Sequence, residues 1–232
     1  MTSQWINIFG GISLAAGIGS CIWIAWDETR HPQKMAVMNA VWPVTALYSG
    51  LPGVAAYLWF GRNHKGGSGE GKPSAASVVK GSTHCGAGCT LGDITAEILL
   101  ALVPSLALLL GWRLLWQEQI FSAWILDFIL AFTFGIAFQY FSIKPMHPKM
   151  GRGEALRRAL QADALSLAAW QVGMYLVMAL AHFVVFPDLL GQRLSSDSIA
   201  FWWVMQFAML AGFATAYPVN RWLIARGIKE AM

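Results

Sequence analysis

The stretch STHCGAGCTLGD at residues 82–93 places His84, Cys85 and Cys89 within six residues of one another. Thiolate and imidazole are ligands suited to Cu(I), Zn(II) and other thiophilic ions. The spacing is not that of a structural zinc site, which gathers four such ligands. Asp93 and Glu97 continue the series in steps of four. Each such step drifts about 40° on a helix, so Cys85, Cys89, Asp93 and Glu97 can share one broad face if the helix starts early. Gly86 and Gly88 instead favour a bend around Cys85, with His84 and Cys85 folded over a helix start and Cys89 in its first turn. The plainer alternative is a loop with two incidental cysteines and glycines that allow close helix packing.

Methionine supplies a second set of soft donors. Met146 and Met150, Met174 and Met178, and Met205 and Met209 are each four residues apart, which puts two thioethers on one helix face. Thioether sulfur suits Cu(I) and Ag(I), although methionine also packs adaptably in apolar cores. His147, between Met146 and Met150 in a basic loop, is placed to close over His84. His31 and His182 read as interfacial.

Asp93, Glu97 and Asp127 fall in or near apolar runs. Ionisable groups at such depth usually face the interior of a bundle and serve charge balance or proton coupling. For Asp93 there is also a capping explanation, because Thr90–x–x–Asp93 resembles a helix-start pattern. For Glu97 and Asp127 the alternative is hydrogen bonding to a neighbouring helix through Gln139, Gln171 or Gln206.

The elements that must hold these residues are membrane helices. Of the 232 residues 56% are hydrophobic and only 12% charged, and the mean hydropathy is +0.52. Apolar runs near 5–26, 36–60, 91–116, 120–143, 164–187 and 199–223 approach the ~20 residues that cross a hydrocarbon core roughly 30 Å thick. An all-α membrane fold with six spans is therefore expected. The first span lacks a basic leader and reads as a retained helix rather than a cleaved signal. With six crossings, Arg30, Lys34, Arg113 and Arg193 lie on one side and the other Lys and Arg residues on the opposite one, which places both termini in the cytoplasm.

Residues 61–81 are rich in Gly, Ser and Lys and read as a flexible cytoplasmic linker. It divides a two-helix segment, 1–60, from a four-helix domain, 82–232. Residues 151–163 suggest a short amphipathic helix on the cytoplasmic surface, with Glu154 and Arg158 spaced as an i,i+4 pair. The scattered basic residues argue against nucleic-acid binding despite a pI near 9.1. No phosphate-binding glycine loop is present, so ATP-driven work by this chain alone is not expected.

The segments THCGAGCTLGDITAE, DFILAFTFGIAFQYFSIKPM, ADALSLAAWQVGMYLVMAL and AMLAGFATAYPVNRWLIARGIKEAM resemble a bacterial and archaeal membrane family, domain of unknown function 4396, over about residues 82–232. The resemblance implies an association with copper or heavy-metal handling.

Together these features lead to an inner-membrane protein that binds or transports a soft cation, most simply Cu(I), rather than an enzyme. His84, Cys85 and Cys89 form its cytoplasmic site and the methionine pairs its path. A membrane thiol-redox enzyme using Cys85 and Cys89 is the alternative from another class. An accessory subunit of a larger complex, or a client of a metal chaperone, is a third. Gly88 and Gly92 offer a G-x-x-x-G face for such a partner or for self-association.

Overall fold

Long apolar segments with few helix breakers leave the backbone one economical way to satisfy its polar groups away from water, which is the α-helix. The computed structural model describes residues 2–62 and 74–230, and among these the regular structure is helical. Helix α1 is Thr2–Arg30 and α2 is Met38–Ala56, continued by a π-helical turn Tyr57–Gly61. Then come α3, Ala75–Leu102, the short α4, Ser105–Leu109, and α5, Gln119–Met146. Helix α6, Arg152–Leu180, runs on as a π-helical segment Ala181–Leu189, and α7 is Ile199–Ala225. Five of these are long and apolar enough to cross a membrane: α1, α3, α5, α6 with its extension, and α7. The chain is a multi-pass helical membrane protein.

The expected span at 36–60 is a hairpin. Gly50 has φ +56° and ψ −133° in the middle of α2, a conformation that side chains other than hydrogen rarely tolerate. The helix reverses there. Gly53 returns alongside Ala46 and Ser49, and Gly61 alongside Trp42, whose ring meets Tyr57 at 5.8 Å. Arg62 and Tyr57 consequently reach Asp27 at the end of α1. The broken tip has a partner for its freed carbonyl: Gln206 of α7 donates to the Leu47 carbonyl at 2.9 Å and accepts from Ser13 of α1 at 2.6 Å. Non-helical backbone at this depth persists only where protein surrounds it in this way.

Because the hairpin enters and leaves by one end, α1 and α7 run parallel. Gly10 packs against Ile199 and Trp203, and Gly17 lies beside Gln206. The start of α1 and the end of α7 therefore lie at opposite ends of the bundle, whereas six crossings would put them at the same end. Helices α3, α5, α6 and α7 form a closed ring, with α3 packed most extensively on α5 and α6 on α7.

Two boundaries also differ from expectation. Helix α3 begins at Ala75, capped by Ser74 Oγ on the Ser77 amide at 3.1 Å. It stops at Leu102 because Val103 precedes Pro104 and is pushed out of the helical region. The expected third span, 91–116, is thus shifted toward the N-terminus. The expected linker 61–81 lies largely outside the described residues, and its part from Ala75 is helix. Residues 152–163 are the first turns of α6, not a separate surface helix. The Glu154–Arg158 pair forms there at 2.9 Å.

Candidate functional site

The early start of α3 settles the face question. Residues 82–93 lie inside a continuous helix, with no bend at Gly86 or Gly88 and no cap at Thr90, whose hydroxyl bonds the Gly86 carbonyl at 2.7 Å. Cys85, Cys89 and Asp93 are buried, and Glu97 half-buried, along one side of α3. The glycines serve packing within the chain. A Cβ on Gly88 would meet Gly135 Cα of α5 at 2.7 Å, and one on Gly92 would meet Ala131 Cα at 2.6 Å. The G-x-x-x-G face is therefore occupied by α5 and not left for a partner.

Four levels can be read along the ring from one end to the other. At the mouth, a vestibule of about 710 Å³ is lined by Glu97, Glu118, His182, Arg193, Ser195 and Ser196 among others. His182 Nε2 lies 3.6 Å from Glu118 Oε2.

One turn deeper, a chamber of about 20 Å³ is bounded by Asp93, Glu97, Asp127, Met174, Met178 and Met205. Ile120, Ala123, Phe201 and Glu97 line both spaces, so the chamber opens from the vestibule. Its volume suits one water-sized occupant. Tyr175 donates to Asp127 Oδ2 at 2.7 Å, and Gln171 Nε2 approaches the same oxygen at 3.5 Å. Asp93 faces Asp127 within hydrogen-bonding reach, yet two carboxylates are both acceptors. They bond to each other only with a proton between them.

The third level is a seal. Trp170 of α6 is fully buried, and its indole occupies the space left by Gly86 of α3 and Gly212 of α7. Its Nε1 donates to Met209 Sδ at 3.4 Å, and Tyr48 from the hairpin stands edge-on to it at 5.9 Å. The position of this tryptophan away from the span ends is thereby explained. Met209 caps the seal, whereas its pair partner Met205 lines the chamber.

The fourth level surrounds Cys85. Its Sγ lies 3.1 Å from Ser166 Oγ, 3.6 Å from Asp163 Oδ1 and 3.4 Å from Lys229 Nζ. Lys229 is 1% exposed and also donates to Asp163 Oδ1, to Asn220 Oδ1 at 2.7 Å and to the Gly81 carbonyl at 3.2 Å. Burial alone would lower the Lys229 pKa. The Asp163 carboxylate and the Cys85 sulfur together outweigh that, and the ammonium is held above the ordinary lysine range.

Other expected ligands are not brought together. His84 is buried edge-on to Phe138 at 5.9 Å, on a different side of α3 from Cys85. His147 pairs with Glu230 at 2.7 Å, and Met146 is exposed, so that loop does not close over His84. Among the described residues no three His, Cys, Asp or Glu side chains converge closely enough to hold a metal ion. Sequence reasoning missed Lys229, Asp163, Ser166 and Tyr175. Lys229 looked like one more basic residue marking topology.

A family model described as a domain of unknown function, DUF4396, matches residues 75–229. The chain belongs to the DUF4396 family. The DUF4396 domain therefore comprises the whole ring of α3, α5, α6 and α7 together with the Lys229 tail, while α1 and the hairpin lie outside the match. No curated protein and no solved structure matches the chain. Around the domain, exposed Leu176, Leu165, Phe207 and Ile129, with Ile8 and Ile12 of α1, present the apolar face that a bilayer requires.

Proposed function

We propose that the chain carries a soft monovalent cation, most simply Cu(I), through the interior of its four-helix ring in a bacterial inner membrane. The observation that carries this reading is the α3 stripe of Cys85, Cys89, Asp93 and Glu97, joined at the chamber by Met174, Met178 and Met205. Carboxylates at the mouth attract a cation. Thioethers in the chamber favour a soft one and bind it weakly enough to release it. Thiols deeper in the ring accept it next.

Donors strung along a path in ones and twos suit passage rather than a resident ion. The proton required between Asp93 and Asp127 supplies a coupling element, since a cation entering the chamber takes over the role of balancing that charge. Trp170 and Met209 close the far side, so the described conformation is open toward the vestibule only.

Orientation follows from charge. With five crossings and one hairpin, every Lys and Arg among the described residues except Arg113 and Arg193 belongs to the end that carries Cys85 and Lys229. The excess of basic residues marks that end as cytoplasmic. The vestibule then faces outward, the C-terminus is cytoplasmic and the N-terminus is outside, in place of the expected cytoplasmic N-terminus.

Equilibrium binding of Cu(I) to the purified, reduced protein tests the reading. Stoichiometric binding is expected, weakened in Met174→Leu/Met178→Leu and in Cys85→Ser/Cys89→Ser. Absence of Cu(I) and Ag(I) binding by the unsubstituted protein would reject it and direct attention to thiol–disulfide titration of Cys85 and Cys89.

A further inference from the structure

The Lys229 ammonium is held by the kinds of atom that would hold a small cation. A lysine has three N–H donors and no acceptor, and here they are shared among Asp163 Oδ1, Asn220 Oδ1, the Gly81 carbonyl and Cys85 Sγ. These acceptors come from α3, α6 and α7, so three of the four ring helices meet at this charge. We propose that Cys85, Asp163, Asn220 and the Gly81 carbonyl form an inner cation site, filled here by the chain's own Lys229, and that the C-terminal segment is a tethered plug which cargo must displace. The inference rests on the transport reading above and assigns its inner site and its regulation.

The charge balance defines the ligand class. Among the described residues Asp163 is the one carboxylate contacting the ammonium, and with Cys85 kept as a neutral thiol a single positive charge neutralises the site. A divalent ion would leave an uncompensated charge in a buried setting, which is costly. One thiol beside oxygen donors selects a soft monovalent ion among those that meet this condition.

The tail is built to come and go. Gly227 turns the chain after α7 with φ +67°. The amides of Ile228 and Lys229 then fold back onto the Leu223 carbonyl at 3.0 and 3.3 Å. The next residue, Glu230, is clamped by His147 from the α5–α6 connection. A cavity of about 510 Å³, lined by Gln139, Arg158, Gln161, Gly227, Ile228 and Glu230, lies beside the tail and gives it room to withdraw. Beside it, Oε1 of the fully buried Gln139 has no hydrogen-bond partner among the described residues, so an unused acceptor lies near a displaced ammonium.

The test uses the full-length protein and Ag(I) as a redox-stable soft monovalent probe. Lys229→Ala leaves Asp163 without its cation, and it is expected to bind one more Ag(I) per chain than the unsubstituted protein. Asp163→Asn/Lys229→Gln keeps the site neutral and is expected to gain none. Where Lys229→Ala alone proves too unstable to titrate, the same prediction is read as recovery of its thermal stability on adding Ag(I), absent with Mg(II). No added site and no recovery, or an equal gain in both variants, would overturn the plug. Ag(I) binding by the unsubstituted protein reports separately on the transport reading.

Discussion

Arg62 Nε lies 3.1 Å from Asp27 Oδ2, although a full apolar segment separates the two in sequence. A crossing helix would have carried Arg62 to the opposite membrane surface, roughly 30 Å away. Tyr57 bonds the same carboxylate oxygen at 2.8 Å, and His31 Nδ1 reaches Asp27 Oδ1 at 3.2 Å. One buried carboxylate therefore pins the returning end of the hairpin to the end of α1.

This pin fixes the parity of the topology. In spheroplasts, with the outer membrane removed, an epitope at the N-terminus is expected to be reached by an antibody from outside, and one at the C-terminus only after permeabilisation. Equal access for both would contradict the hairpin.

Close approach of α3 and α5 gives a stability prediction. Gly88→Val and Gly92→Val place new carbons against the α5 backbone and should each destabilise the detergent-solubilised protein by about 1–3 kcal/mol. Gly19→Ala meets nothing within 4 Å and should leave the stability within about 0.5 kcal/mol of the unsubstituted protein's.

The stripe on α3 was legible in the sequence because steps of four on a helix keep one face whatever the tertiary context. Its neighbours were less so. Hydropathy registers 36–60 as one apolar run, and nothing in a sum of side chains shows that Gly50 reverses the backbone. Gly86 looked like a helix breaker, but it is a space left for Trp170, which lies far away in sequence. Lys229 and Asp163 are ordinary charged residues until the tail folds back and brings them together.

Asp93→Asn should preserve the fold, because its amide can donate to Asp127 the hydrogen bond that the shared proton otherwise supplies. Soft-cation flux in that variant should lose its dependence on a proton gradient. Gradient-dependent flux that survives the substitution would separate the acidic pair from coupling.

The Lys229–Asp163 pair has a defined pH window. Lys229 is raised above its ordinary pKa, so its contribution is complete below about pH 10.4, where the unfolded lysine titrates, and is lost only as pH rises through the higher folded value. The stability difference between the unsubstituted protein and Lys229→Gln should stay constant from about pH 6 to 9 and shrink above about 10.4. A difference that collapses near neutral pH would mean that the ammonium is not held by Asp163.

Passage of a soft monovalent cation through the ring is measured most directly as Ag(I) flux into liposomes containing only this protein. Uptake is expected to saturate with Ag(I), to respond to a proton gradient and to fall at least about tenfold in Met174→Leu/Met178→Leu, where two soft donors are removed from the chamber. Liposomes with the folded, unsubstituted protein that admit Ag(I) no faster than empty ones would contradict it.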